Sequence, residues 1–130
     1  PNYVIQKVND ALNQVGKSIN NSKILVLGIA YKKNIDDIRE SPSLEIISRL
    51  IDLGAIVLYN DPYCAEVPNT RKYKLTLKST PLDKNIINKC DIVILCTDHD
   101  IYDYKMIESK AKILVDTRGR YKNNKKIVKA

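Results

Sequence analysis

Two cations, Lys32 and Arg118, stand just past apolar runs, where a strand would end and its side chains would face a ligand. A guanidinium holds oxyanions through its planar fork, and an ammonium acts on them as a point charge. Tyr31 precedes Lys32 and offers an aromatic face at the same spot. Between them and the next helical pattern lies "NIDDIRES", with Asp36, Asp37, Arg39 and Glu40. The paired acids suggest metal ligands, yet no histidine or further carboxylate stands at a ligand spacing, so no metal is expected. These four residues are expected to order the loop by charge-assisted hydrogen bonds. His99 lies between Asp98 and Asp100, which could tune it for acid–base work. Lacking a nucleophile motif to serve, it is assigned a supporting or capping role, and no catalytic residue is assigned.

Cys64, Cys90 and Cys96 are odd in number and show neither disulfide nor zinc spacing. On one strand, Cys90 and Cys96 would stand roughly 20 Å apart, out of bridging range. They read as buried or incidental thiols, and a reducing cytoplasm fits them.

The net charge of +7, from 22 basic and 15 acidic residues, favours an anionic partner. The basic residues are dispersed, with no aromatic RNA-binding motif, zinc-finger spacing or recognition-helix cluster, which argues against nucleic acid. No apolar run reaches the ~18 residues of a membrane span, and the start lacks signal-peptide features. A phosphate-bearing small molecule is the partner that survives. The 130 residues suffice for one core, and an opening in mid-helix pattern without Met points to a piece of a longer chain.

The elements that must position these groups alternate. Val4, Ile5, Val8, Leu12 and Val15 share one helical face, and Gly16 is placed to end it. "KILVLGIAY" reads as a buried strand, Ser41-Pro42 as a helix cap and first-turn proline, and Gly54 as that helix's stop. "AIVLYND", "DIVILCT" and "KILVDTR" are further strands, with helices over 83–89 and 102–110. At most a short strand is expected around "KLTLK", and the tail "RYKNNKKIVKA" reads as a solvated basic surface. The pattern predicts an α/β fold: a Rossmann-like open parallel sheet, order 3-2-1-4-5, with helices on both faces and a helix in front.

In such a sheet the ligand crevice opens at the carboxyl ends of the strands, where the order reverses. The candidates there are Tyr31 and Lys32, Thr97 to His99, and Asp116 to Arg118. A dinucleotide would need a glycine-rich first turn close to a helix N-terminus. Roughly ten residues separate Gly28 from Ser41, a stretch too long and too charged for that turn, so this chain is not expected to bind NAD.

At this point "GIAYKKNIDDIRESPSLEIISRLIDLGAIVLYNDPY" resembles the start of the C-terminal domain of the UDP-glucose/GDP-mannose dehydrogenase family. That family carries G-x-A-[FY]-K, then D-D-x-R-E-S-P, then a G-A-x-V strand ending in D-P. "DIVILCTDHDIYDY" and "ILVDTR" resemble its later motifs, so the likeness covers nearly the whole chain. Tyr31, "DPY" and "DTR" lean toward the UDP-N-acetylhexosamine 6-dehydrogenases.

The resemblance implies that residues 1–20 end a helical dimerising linker and residues 21–130 form a nucleotide-sugar-binding domain. It implies a homodimer or larger assembly of an enzyme that oxidises a UDP-sugar C6 alcohol to a carboxylate. NAD would be held by a preceding domain, and the thioester-forming cysteine would sit in a G-G-x-C context absent around all three cysteines here. Tyr31 and Lys32 match the family's aromatic-Lys pair at the substrate, and Arg118 matches the arginine of its late Asp-x-Arg segment. This chain would then carry binding and no chemistry. Two other readings share part of the pattern: a stand-alone nucleotide-sugar-binding or regulatory module, and a CoA- or NAD-binding α/β domain.

Overall fold

The computed structural model describes residues 1–39, 41–67 and 77–130. Helix α1 (Asn2–Gln14) leads into β1 (Lys23–Leu27), α2 (Pro42–Asp52), β2 (Ile56–Asn60), α3 (Lys84–Lys89), β3 (Ile92–Leu95), α4 (Tyr104–Lys110), β4 (Leu114–Asp116) and β5 (Ile127–Lys129). The strands form one parallel sheet in the order β2-β1-β3-β4-β5.

Alternation along each strand splits the core in two. Ile24 and Val26 of β1, with Ile92 and Ile94 of β3, pack beneath Val8 and Leu12 of α1 and Ile47 and Leu50 of α2. Leu25, Leu27, Val93 and Leu95 face the other way, onto Ile87 of α3 and Ile107 of α4. Both faces are therefore covered, which is why the strands read as unbroken apolar runs. Three helices start on side-chain caps: Ser41 accepts from the Ser43 N–H, Asp83 from Ile86 and Asp103 from Met106. No helix among the described residues is long and apolar enough to cross a membrane.

The open parallel sheet is the expected one, with its order reversing between the first strand and the strand leading to Thr97. Its edges differ in detail. The expected outer strand at "KLTLK" falls largely on residues outside the described ones, and Ser79 makes one isolated parallel bridge to Tyr59. The fifth strand comes instead from the tail. Ile127 is buried against the α3/α4 face, and Lys129 reaches back to the buried Asp116 at 2.9 Å, so this basic segment is an edge strand. Its lysines hid it, because a lysine stem packs while its head stays polar.

The chain turns at Gly28, directly after β1, with φ +87°. A Cβ there would lie 2.4 Å from Thr97 Cβ and 2.7 Å from the Thr97 carbonyl oxygen, so only glycine lets the ends of β1 and β3 meet. Gly28→Ala is expected to destabilise the fold by about 2–5 kcal/mol, adding left-handed strain to backbone overlap. Urea unfolding of the variant beside the parent measures it.

Candidate functional site

The reversal places a crevice at the carboxyl ends of β1 and β3, since β1 leads through α2 to β2 on one side and β2 leads through α3 to β3 on the other. Three connections border it: Gly28–Ser41 after β1, Thr97–Asp103 after β3 and Thr117–Lys126 after β4.

The first connection is held from below by a buried carboxylate. Asp61, one residue past β2, has a side chain with no exposure. Its Oδ2 accepts from the Ile29 N–H at 2.8 Å, the Ala30 N–H at 3.1 Å and His99 Nε2 at 2.9 Å. Its Oδ1 accepts from the Tyr63 N–H at 2.8 Å. Burial alone would raise the Asp61 carboxyl, but the His99 and backbone hydrogen bonds outweigh it and hold the group below the usual carboxylate range.

His99 is equally buried, with the tilted rings of Tyr63 (centroids 4.8 Å apart) and Tyr102 (5.6 Å) beside it. Its Nδ1 accepts from the Asn34 N–H at 2.7 Å, which leaves the proton on Nε2, facing Asp61. The Asn34 amide donates to Asp100 at 2.8 Å and accepts from the Asp100 N–H at 2.9 Å. Thr97 Oγ1 donates to the Ala30 carbonyl at 2.8 Å, and Ser41 Oγ to the Ile29 carbonyl at 2.7 Å.

What remains exposed is the segment in between. Tyr31 is 47% exposed, and Lys32 Nζ lies 5.9 Å from its ring centroid. Lys32 has no ion pair among the described residues, whereas Lys33 lies 3.7 Å from Asp100. Across the crevice Arg118 follows β4, its backbone N–H donating to Asp116 at 2.9 Å and its Nε 3.5 Å from Asp98. β3 alone separates β1 from β4, which sets their ends about 10 Å apart. Lys32 and Arg118 thus follow strand ends that stand on either side of β3.

The acidic stretch behaves differently. Asp37 receives the Arg39 backbone N–H and both guanidinium contacts, at 3.0, 3.1 and 3.0 Å, and the Arg39 side chain lowers the Asp37 carboxyl. This pair is solvent-exposed and local, so it shapes one turn, and screening leaves it little more. Asp36 gives its carbonyl to Cys64 Sγ at 3.7 Å, and Glu40 lies outside the described residues. A cleft of about 330 Å³ beside this stretch is lined by Asp36 and Glu66, the wrong sign for a phosphate. The loop's anchors are Asp61, Thr97, His99 and Asn34. Of these only His99 draws a role from its residue type; in the sequence Asp61 is a strand end and Asn34 a loop residue.

All three cysteines are buried, and burial pushes the Cys64 and Cys96 thiols up to about 12, far from a reactive thiolate. A dinucleotide does not fit this crevice in the usual manner. The first-turn N–H groups of Ile29 and Ala30, which a pyrophosphate would need, already donate to Asp61.

The molecule is thus an open parallel α/β domain with Lys32 and Arg118 past the carboxyl ends of β1 and β4, near its switch point. The chain belongs to the UDP-glucose/GDP-mannose dehydrogenase family, matching its UDP binding domain over residues 25–123. It is 34% identical to the UDP-N-acetyl-D-mannosamine dehydrogenase of Methanococcus maripaludis, across 95% of this chain and 28% of that protein. It is 32% identical to the UDP-glucose 6-dehydrogenase of Rhizobium meliloti, across 84% of this chain and 26% of that protein. The chain therefore spans little more than a quarter of these relatives. Its fold is that of the NDP-N-acetyl-D-galactosaminuronic acid dehydrogenase of Methanosarcina mazei, with a TM-score of 0.78 at 24% identity over 100% of this chain and 28% of that one.

The lowered Asp61 carboxyl links stability to pH. The unfolded group takes its proton near pH 4 and the folded group only below that, so its contribution is complete above about pH 5 and is lost as pH falls. Asp61→Asn is expected to lower the urea midpoint at pH 7 and to flatten its decline between about pH 5 and 2. Urea titrations across that range measure both effects.

Proposed function

We propose that this chain is the nucleotide-sugar-binding domain of an NAD-dependent UDP-sugar 6-dehydrogenase. The full enzyme would oxidise the sugar C6 alcohol to a carboxylate. NAD and the thioester-forming cysteine would belong to other parts of the polypeptide, in keeping with the share of the relatives that this chain spans. The observation that carries the reading is the crevice itself, with Lys32 on one side and Arg118 on the other, in a chain that matches a UDP binding domain.

In this reading Lys32 and Arg118 contact the diphosphate. The charge of Lys32 is available, and Arg118 turns from Asp98, at a long 3.5 Å, toward a doubly charged ligand. Tyr31 lends its ring to the base or ribose. Residues 1–20 lead in from a helical dimerising segment, and residues 21–130 form the binding domain, with Val8 and Leu12 of α1 fully buried in that core. The relatives' names favour an N-acetylhexosamine as the sugar, with glucose the rival.

Calorimetry on the chain tests this directly. UDP is expected to bind, NAD and CoA to give no heat, and the chain to form no NADH from a UDP-sugar. Lys32→Ala and Arg118→Ala should each weaken UDP about 10- to 150-fold, the range for hydrogen bonds to charged groups, with the exposed Lys125→Ala unchanged. Parent-like affinity in both crevice variants would remove the assignment.

A further inference from the structure

We infer that Asp61 and His99 form a positioning unit that clamps the segment Tyr31–Lys33 at both ends and so sets where Tyr31 and Lys32 stand at the crevice. On the N-terminal side, Asp61 Oδ2 receives the Ala30 N–H at 3.1 Å while Thr97 Oγ1 holds the Ala30 carbonyl at 2.8 Å. On the C-terminal side, His99 Nδ1 receives the Asn34 N–H at 2.7 Å. The two ends meet in one place, because the same Oδ2 that holds Ala30 also receives His99 Nε2 at 2.9 Å. Asn34 itself has φ +64°, a left-handed turn that the imidazole and Asp100 hold in place.

The imidazole works here as a spacer with one donor and one acceptor. It carries the anchor of a carboxylate at the end of β2 across the end of β3 to a loop that follows β1. Neither side chain is exposed, so neither touches ligand; they act through Tyr31 and Lys32, and the ligand part of this inference rests on the UDP reading above. The rings of Tyr63 and Tyr102 pack beside the imidazole, tilted to it by 51° and 56°.

Two substitutions divide the unit. An asparagine amide can place its oxygen where Nδ1 stands, and a glutamine amide can place its nitrogen where Nε2 stands. His99→Asn therefore keeps the acceptor for Asn34 and gives up Asp61; His99→Gln does the reverse. The inference expects both variants to weaken UDP by up to about tenfold, the scale of one buried hydrogen bond: His99→Gln with faster exchange of the Asn34 amide, and His99→Asn with that amide still slow but cut off from its support on Asp61. Both are read on the chain by NMR and calorimetry, with urea midpoints recorded to separate global loss. Parent-like UDP binding in His99→Gln with its Asn34 amide freed would overturn the positioning role, as would losses in both variants that track global stability. A parent that keeps the Asn34 amide protected but fails to bind UDP would sink the functional reading and leave the clamp standing; an unprotected Asn34 amide in the parent would sink the clamp.

Discussion

A charged carboxylate is buried where three strands end. Left without partners, Asp61 would cost several kcal/mol in so dry a place, which obliges the surrounding chain to bring it donors. Those donors come from the loop after β1, from the turn at Tyr63 and from His99 after β3, so satisfying one residue fixes the relative position of three connections. Gly28 belongs to the same constraint, since its left-handed turn against Thr97 carries the next two N–H groups over the carboxylate.

The β4 side repeats the device. Asp116 is buried, and although burial would raise its carboxyl, the Tyr121 N–H, Lys129 and the Arg118 N–H outweigh that and lower it. Each exposed cation at the crevice is thus mounted beside a buried aspartate, Lys32 through the loop on Asp61 and Arg118 through its own backbone on Asp116. Buried anions take backbone donors and give shape; of the two exposed cations, Arg118 lies beside Asp98 and Lys32 has no ion pair among the described residues. Connections held this way have little conformational entropy left to lose.

The strands and helices were legible because each announces itself locally. "KILVL" and "DIVIL" are apolar on both faces, as strands covered on both sides must be, and Ser41-Pro42 caps and starts a helix within two residues. The place of a crevice follows from topology, and Tyr31, Lys32 and Arg118 are candidates there because they lie past strand ends. Asp61 was hidden because its four partners are scattered from Ile29 to His99, and nothing in "NDPY" distinguishes a turn aspartate from an anchor. The edge strand Ile127–Lys129 was hidden by composition, with two apolar residues among lysines, one of which is held by Asp116. In the acidic run, Asp37 and Arg39 hold one exposed turn by charge-assisted hydrogen bonds, which screening leaves worth little in stability.

The central claim, that a uridine diphosphate group occupies the opening between the ends of β1 and β4, is tested most directly by mapping amide shifts as UDP is added to the isotopically labelled chain. The account predicts saturable shifts concentrated at Tyr31–Asn34, Thr97–Asp100 and Thr117–Gly119, with the α1 and α3 surfaces silent. Saturable shifts centred on another face, with those three segments unmoved, would contradict it.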